Sequence, residues 1–199
     1  MSPPLRLIVG LGNPGEQYRD TRHNAGAWFV SRFAELHRAT FKDEKKFFGR
    51  TTTAMVDGRE LRLLIPTTYM NESGKCVGAF ANFFKIVPEE MLIAHDELDL
   101  PTGVVRFKQG GGLAGHNGLR SISAALGGST AFNRLRIGVG HPGHKTAVTG
   151  HVLGRASKDD KSLMDECIDE AIRFMPLAIS GEWEKAMNGL NGFNAGGEE

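Results

Sequence analysis

Apolar residues recur along this chain in two rhythms. Leu7, Ile8 and Val9 form a short continuous run, the length of a buried strand. Gly10, Gly12, Asn13, Pro14 and Gly15 break it and predict a tight loop where backbone lies close to a ligand. Residues 28–36 carry Trp28, Phe29, Phe33 and Leu36 at helical spacing, so that stripe is expected in the core. The helix is expected to start near His23 and Asn24, with Asp20 or Thr21 as its N-cap. Residues 41–46 read as a charged loop. Residues 51–56 and 61–65 flank Asp57-Gly58-Arg59, the pattern of a β-hairpin, which Pro66 ends.

Residues 67–71 read as a loop into a helix reaching about Lys85, with Val77, Phe80, Ala81 and Phe84 on its buried side. Residues 91–94 predict a short strand, with His95-Asp96-Glu97-Leu98-Asp99 following at its end. Residues 104–108 predict another strand. A glycine-rich loop at 109–118 opens a helix through Leu126, and 133–139 alternates as a strand. From Ser157, Leu163, Met164, Cys167, Ile168, Ala171, Ile172 and Met175 repeat at helical period. Gly181 interrupts that helix before a last short one, and 188–199 is rich in Gly and Asn. Strands alternating with helices define the α/β class: a single-domain three-layer sandwich, its mixed twisted sheet flanked by helices. The domain is expected over 1–190, with 191–199 a flexible tail.

The chain has 199 residues, 40% hydrophobic and 24% charged, the balance of a globular domain. No stretch approaches the roughly 18 apolar residues of a membrane span. Pro3 and Pro4 are followed by no signal-peptide core, so a cytoplasmic protein is expected. Cys76 and Cys167 fall in helical patterns and are expected to be buried thiols in a reducing compartment. Net charge is +1, but unevenly spread. Residues 100–158 hold eight lysines and arginines and no acid, whereas 159–199 hold ten acids. A basic middle without counter-charges fits phosphate, and it fits equally a set of solvated arginines spread over a surface.

Several familiar chemistries fail on spacing. Gly10, Gly12 and Gly15 spell G-x-G-x-x-G, but Pro14 and E-Q-Y-R-D keep the chain in a loop where a dinucleotide site opens a helix. Glu35, at the distance of the ribose-binding acid, sits inside a helical pattern, so no nucleotide cofactor is expected. Gly74-Lys75 lacks the earlier glycine of a phosphate-binding loop, and Cys76 replaces its Ser/Thr. No G-x-S-x-G is present. His141 and His144 are separated by Pro142-Gly143, with His151 nearby and no cysteine or acid close, so no metal site is expected.

Polar residues gather instead at the ends of elements: Asn13, His23, Tyr69, Asn71, Asp96, His116 and Asn117. Such positions converge at the carboxyl edge of an α/β sheet. A lone histidine is more often a surface or capping residue, and H-D-E-L-D alone is more often a polar loop. Taken as a pair, His23 is the natural general base and Asp96 the partner that fixes its tautomer. What remains after the exclusions is water attack assisted by histidine, with side-chain amides binding a carbonyl or oxyanion.

Six motifs in register carry a resemblance: G-L-G-N-P-G at 10–15, T-R-H-N-A-G at 21–26, P-T-T-Y-M-N at 66–71, H-D-E-L-D at 95–99, G-H-N-G at 115–118 and R-I-G-V-G-H-P-G at 136–143. Over about residues 5–190 the chain resembles the bacterial peptidyl-tRNA hydrolase family. The resemblance implies a monomeric, cofactor-free α/β enzyme that cleaves the ester between peptide and tRNA and so recycles tRNA from aborted translation. It implies that His23 activates water, that Asp96 supports it, and that Asn13 and Asn71 hold the ester and peptide. Tyr18, Tyr69, Asn71 and Asn117 line the acceptor end and peptide groove by the same resemblance. Met70, Lys108, His116 and Arg136 are implied as accessory, with 5′-phosphate capture by the basic middle. Tyr69 stands where Phe is common in the family, and Leu113 where some members carry His. A non-catalytic RNA-binding relative, of the intron-splicing kind, is the alternative.

Overall fold

The computed structural model describes residues 2–197. In chain order the elements are β1 (Leu7–Gly10), α1 (Ala25–Leu36), β2 (Lys42–Glu44), β3 (Gly49–Val56), β4 (Arg59–Pro66), α2 (Ser73–Phe84), β5 (Met91–Glu97), β6 (Val105–Gln109), α3 (Asn117–Ala125), β7 (Asn133–Gly138), α4 (Val148–Val152), α5 (Lys158–Ile179) and α6 (Trp183–Leu190). The strands form one sheet in the order β2-β3-β4-β1-β5-β7-β6. Its centre, β4 to β7, is parallel, while β3 pairs antiparallel with both β4 and β2 on one side and β6 pairs antiparallel with β7 on the other. The mixed three-layer sandwich expected from the pattern is what forms.

β1 is buried on both faces, as a central parallel strand must be. Ile8 joins the core under α1, α5 and α6 with Phe29, Phe33, Met164 and Trp183. Leu7 and Val9 join the opposite core under α2 and α3 with Phe80 and Ile122. The β3–β4 hairpin closes on Asp57 and Gly58, at φ 47° and 77°, the left-handed pair of a two-residue turn that matches strand twist. Both cysteines are free and buried, and burial pushes each thiol up to about 12.

Four readings of the sequence are revised. The charged loop at 41–46 contains β2, which pairs through its backbone with β3 and so needs no apolar side chains. The strand expected at 91–94 runs on through His95, Asp96 and Glu97, all buried. Neither Asp20 nor Thr21 caps α1 with its side chain: a 3₁₀ turn, Arg22–Asn24, precedes the helix, Thr21 Oγ1 donates to the Tyr18 carbonyl, and Asp20 pairs with Arg155. Of the segment set apart at 191–199, Asn191 clamps both backbone groups of Phe107, and Asn194 bridges to Val104. Residues 198 and 199 lie outside the described residues.

Candidate active site

The site is assembled by close backbone packing. A Cβ on Gly26 would stand 2.0 Å from the Ala94 carbonyl, so only glycine lets α1 settle against β5 there. Ala94 also accepts from Leu11 N–H, and Leu11 accepts from Ala27 N–H. Three residues before Gly26 stands His23, and two residues after Ala94 stands Asp96. His23 Nδ1 lies 2.9 and 2.8 Å from the two Asp96 carboxylate oxygens.

A second histidine fixes the protons. His116 is the N-cap of α3, and its Nδ1 accepts from Gly118 N–H at 3.1 Å and Leu119 N–H at 3.3 Å. An accepting Nδ1 leaves the ring proton on Nε2, which donates to Asp96 Oδ1 at 2.8 Å. Burial raises the cost of the Asp96 charge, but attraction to His23 and His116 and their hydrogen bonds outweigh it, so the carboxyl is held below its ordinary range. The ionised carboxylate accepts a proton-bearing Nδ1 from His23. The Nε2 of His23 is therefore the basic nitrogen, and it has no partner among the described residues. A buried acid, an oriented imidazole and an open nitrogen make a general-base arrangement.

His95 lies behind this pair and the sequence reading passed over it. It is buried, and that burial is the foremost cause that lowers its pKa to about 3. As a neutral ring it donates from Nδ1 to the Asp96 carbonyl oxygen at 2.8 Å, while its Nε2 is buried without a partner among the described residues. Its ring meets His116 edge-on at 5.1 Å.

Asn13 is held from two sides. Asn24 accepts from Asn13 N–H at 2.8 Å and donates to its carbonyl at 3.0 Å. Asn13 Oδ1 accepts from Met70 N–H at 2.7 Å, which leaves Nδ2 as a donor without a partner among the described residues. Met70 itself is buried, its thioether close against Gly118, so it anchors the loop that presents Tyr69 and Asn71. Tyr69 is 55% exposed and meets Tyr18 edge to face at 6.5 Å.

One cleft of about 280 Å³ brings together Asn13, His23, Tyr69, Met70, Asn71, Asp96, His116 and Asn117 of the expected residues. Tyr18, Lys108 and Arg136 do not line it. Its further wall is Val148, Thr149, Val152 and Leu153, which the sequence reading missed. Arg22 ties that wall beside His23, donating to the His151 carbonyl at 3.1 Å.

Lys108 and Arg136 belong to the β6–β7 edge. Arg106 opposes Arg136 in register and Lys108 opposes Arg134, which puts four cations on one sheet face. Arg136 Nε donates to Glu97 at 2.8 Å. Arg134 is buried and donates to the Gly110 carbonyl, and burial foremost, then Arg136, lowers its pKa.

His23, Asp96 and His116 offer three ligand-type atoms within 4.8 Å of one another. In this arrangement both imidazole–carboxylate contacts are hydrogen bonds with assigned protons. Elsewhere, His151 Nε2 donates to the Val139 carbonyl, and His141 Nδ1 accepts from Gly143 N–H.

A buried carboxylate orienting a histidine at the carboxyl edge of an α/β sheet defines a general-base hydrolase. The model of the family described as peptidyl-tRNA hydrolase matches residues 7–197, and the chain belongs to that family. A peptidyl-tRNA hydrolase of Vibrio parahaemolyticus is 54% identical over 195 residues, covering 98% of this chain and 100% of the relative. One from Edwardsiella ictaluri is 55% identical over 191 residues, covering 96% of this chain and 97% of the relative. The crystal structure of peptidyl-tRNA hydrolase from Acinetobacter baumannii superimposes with a TM-score of 0.93 at 50% identity, covering 96% of each chain.

Proposed function

We propose that this chain hydrolyses the ester between a peptide and the terminal ribose of tRNA, with His23 as general base. His23 Nε2 takes a proton from water as the water oxygen attacks the ester carbonyl. Asp96 stays ionised and stabilises the imidazolium that forms. The amides of Asn13 and Asn71 hold the acyl group and its developing oxyanion, and the proton on Nε2 then goes to the departing ribose oxygen. Asn117, Tyr18 and Tyr69 receive the acceptor end. Lys108 and Arg136 supply phosphate contacts on the basic sheet edge. No step needs a cofactor or a metal, and the enzyme acts as a monomer in the cytoplasm.

The observation that carries this reading is the 2.8 Å contact of His23 Nδ1 with Asp96 at the cleft, with Nε2 unpartnered among the described residues. An RNA-binding relative without catalysis has no use for so oriented a base. The test is release of the acyl group from N-acetyl-aminoacyl-tRNA in ¹⁸O-water with a chelator present. Label in the freed carboxylate and intact tRNA are expected. Tight tRNA binding with no ester cleavage would instead favour the RNA-binding alternative.

A further inference from the structure

His23 is fastened from both sides along the chain. After it, Gly26 seats α1 against β5. Before it stands Arg22, in the same 3₁₀ turn, Arg22–Asn24. The Arg22 backbone N–H donates to the Gly154 carbonyl at 3.1 Å, and its Nη1 donates to the His151 carbonyl at 3.1 Å. Nη2 lies 3.7 Å from Asp160 in the first turn of α5. The side chain is 15% exposed, so salt and water screen these contacts weakly.

Both carbonyls lie at the C-terminal end of α4. The last carbonyls of a helix have no partner within it, and a cation there also meets the negative end of the helix dipole. α4 has five residues, of which Val152 alone is buried, whereas an isolated helix needs roughly 12 to persist in water. It packs chiefly against the 3₁₀ turn before it, Lys145–Ala147, and against the Arg22–Asn24 turn. His151 adds a tie from Nε2 to the Val139 carbonyl. A Cβ on Gly154 would stand 3.2 Å from Arg22 Nη1, so glycine there lets the guanidinium close on the helix end.

We infer that Arg22 is a positioning residue: it caps α4 from the turn that carries His23, so the cleft wall and the base are set as one body. The inference rests on the hydrolase reading above. Substrate seated against Val148, Thr149 and Val152 then meets His23 Nε2 at a fixed place, although Arg22 itself does not line the cleft.

The test compares the wild type, Arg22→Met and Arg22→Lys on N-acetyl-aminoacyl-tRNA, with rates taken per folded molecule and thermal unfolding measured alongside. The low-field NMR signal of the His23 Nδ1 proton, assigned by its loss in His23→Ala, is followed in the same samples. Met keeps the aliphatic stem and removes every donor, while Lys keeps the charge and one reach to a carbonyl. Arg22→Met is expected to lower kcat roughly tenfold and to raise KM with it, the scale of one charge-assisted hydrogen bond. Its proton signal is expected to broaden through exchange with water. Arg22→Lys is expected to fall between the two in both readouts, and it carries the comparison if Arg22→Met does not fold. A rise in KM alone, with kcat and the signal unchanged, overturns the coupling and leaves Arg22 serving the wall only. A lower melting temperature with kcat, KM and the signal all unchanged overturns it as well. A wild type that cleaves no ester overturns the hydrolase reading, while the proton signal still tests what Arg22 does to His23.

Discussion

His116 Nε2 lies 2.8 Å from Asp96 Oδ1, while Nδ1 of the same ring caps the first amides of α3. One imidazole thereby sets the start of a helix and the proton pattern of a carboxylate. The two duties can be separated. His116→Ser keeps an oxygen for the helix amides and removes the donor to Asp96. Loss of a charge-assisted bond of about 1.5–3 kcal/mol predicts roughly 10- to 100-fold lower kcat. The melting temperature should move little. Equal losses in kcat and stability would mean that the ring serves the helix alone.

Asp96→Asn tests the orientation of the base. The amide can present a donor where Nδ1–H of His23 needs an acceptor, so His23 is turned to the wrong tautomer. By analogy with other Asp–His pairs, kcat is expected to fall roughly 10³- to 10⁴-fold, measured on N-acetyl-aminoacyl-tRNA. A loss under tenfold would show that His23 keeps its tautomer without the carboxylate.

His95 predicts an acid sensitivity. Its folded pKa of about 3 lies below the ordinary histidine value of about 6.5. Between these limits the unfolded chain binds a proton at this residue and the folded chain does not, so stability falls as pH drops from 6.5 toward 3. Asp96 adds to the same trend at lower pH: its depressed pKa stabilises the fold above the ordinary carboxylate value, and that stability fades as pH falls below it. Replacing His95 by Gln should flatten the slope of unfolding free energy between pH 6 and pH 4 by up to about 1.4 kcal/mol per pH unit, read by urea denaturation. An unchanged slope would place the titrating group elsewhere.

Much of this fold follows from pattern. Asp57-Gly58 marks the hairpin because only a left-handed pair closes it in two residues, and the run Leu7 to Val9 marks the centre because both its faces are covered. His23 and Asp96 were legible as residue types at the ends of elements. β2 was not, since Lys42, Asp43 and Glu44 join the sheet by backbone alone. The strand character of His95, Asp96 and Glu97 was hidden too, because their burial depends on partners far away in sequence: His23, His116 and Arg136. The same holds for the cleft wall of α4, which Arg22 and the following bridge from Thr21 to Arg155 help bring beside His23. Asn191 reads as tail composition, yet its amide completes the hydrogen bonding of Phe107.

Gly26→Ala tests how the dyad is placed. The added methyl falls 2.0 Å from a backbone carbonyl that cannot rotate away. Helix α1 must shift, at a cost of about 1–3 kcal/mol or more, and His23 moves with it. Both a lower melting temperature and a lower kcat are expected. Thermal unfolding unchanged from wild type would contradict the packing described.

The cationic sheet edge predicts salt dependence. Lys108→Ala should lower the slope of log Kd against log salt for tRNA by about one. Arg136→Ala should do the same and also destabilise the fold, since Glu97 is left buried without its partner at 2.8 Å. Binding with no salt dependence would remove this edge from the interface.

The most direct measurement is single-turnover cleavage of N-acetyl-aminoacyl-tRNA by wild type and His23→Ala, with tRNA affinity measured on the same samples. The account predicts that the variant binds tRNA as the wild type does and loses nearly all cleavage. Cleavage near the wild-type rate would contradict His23 as the base.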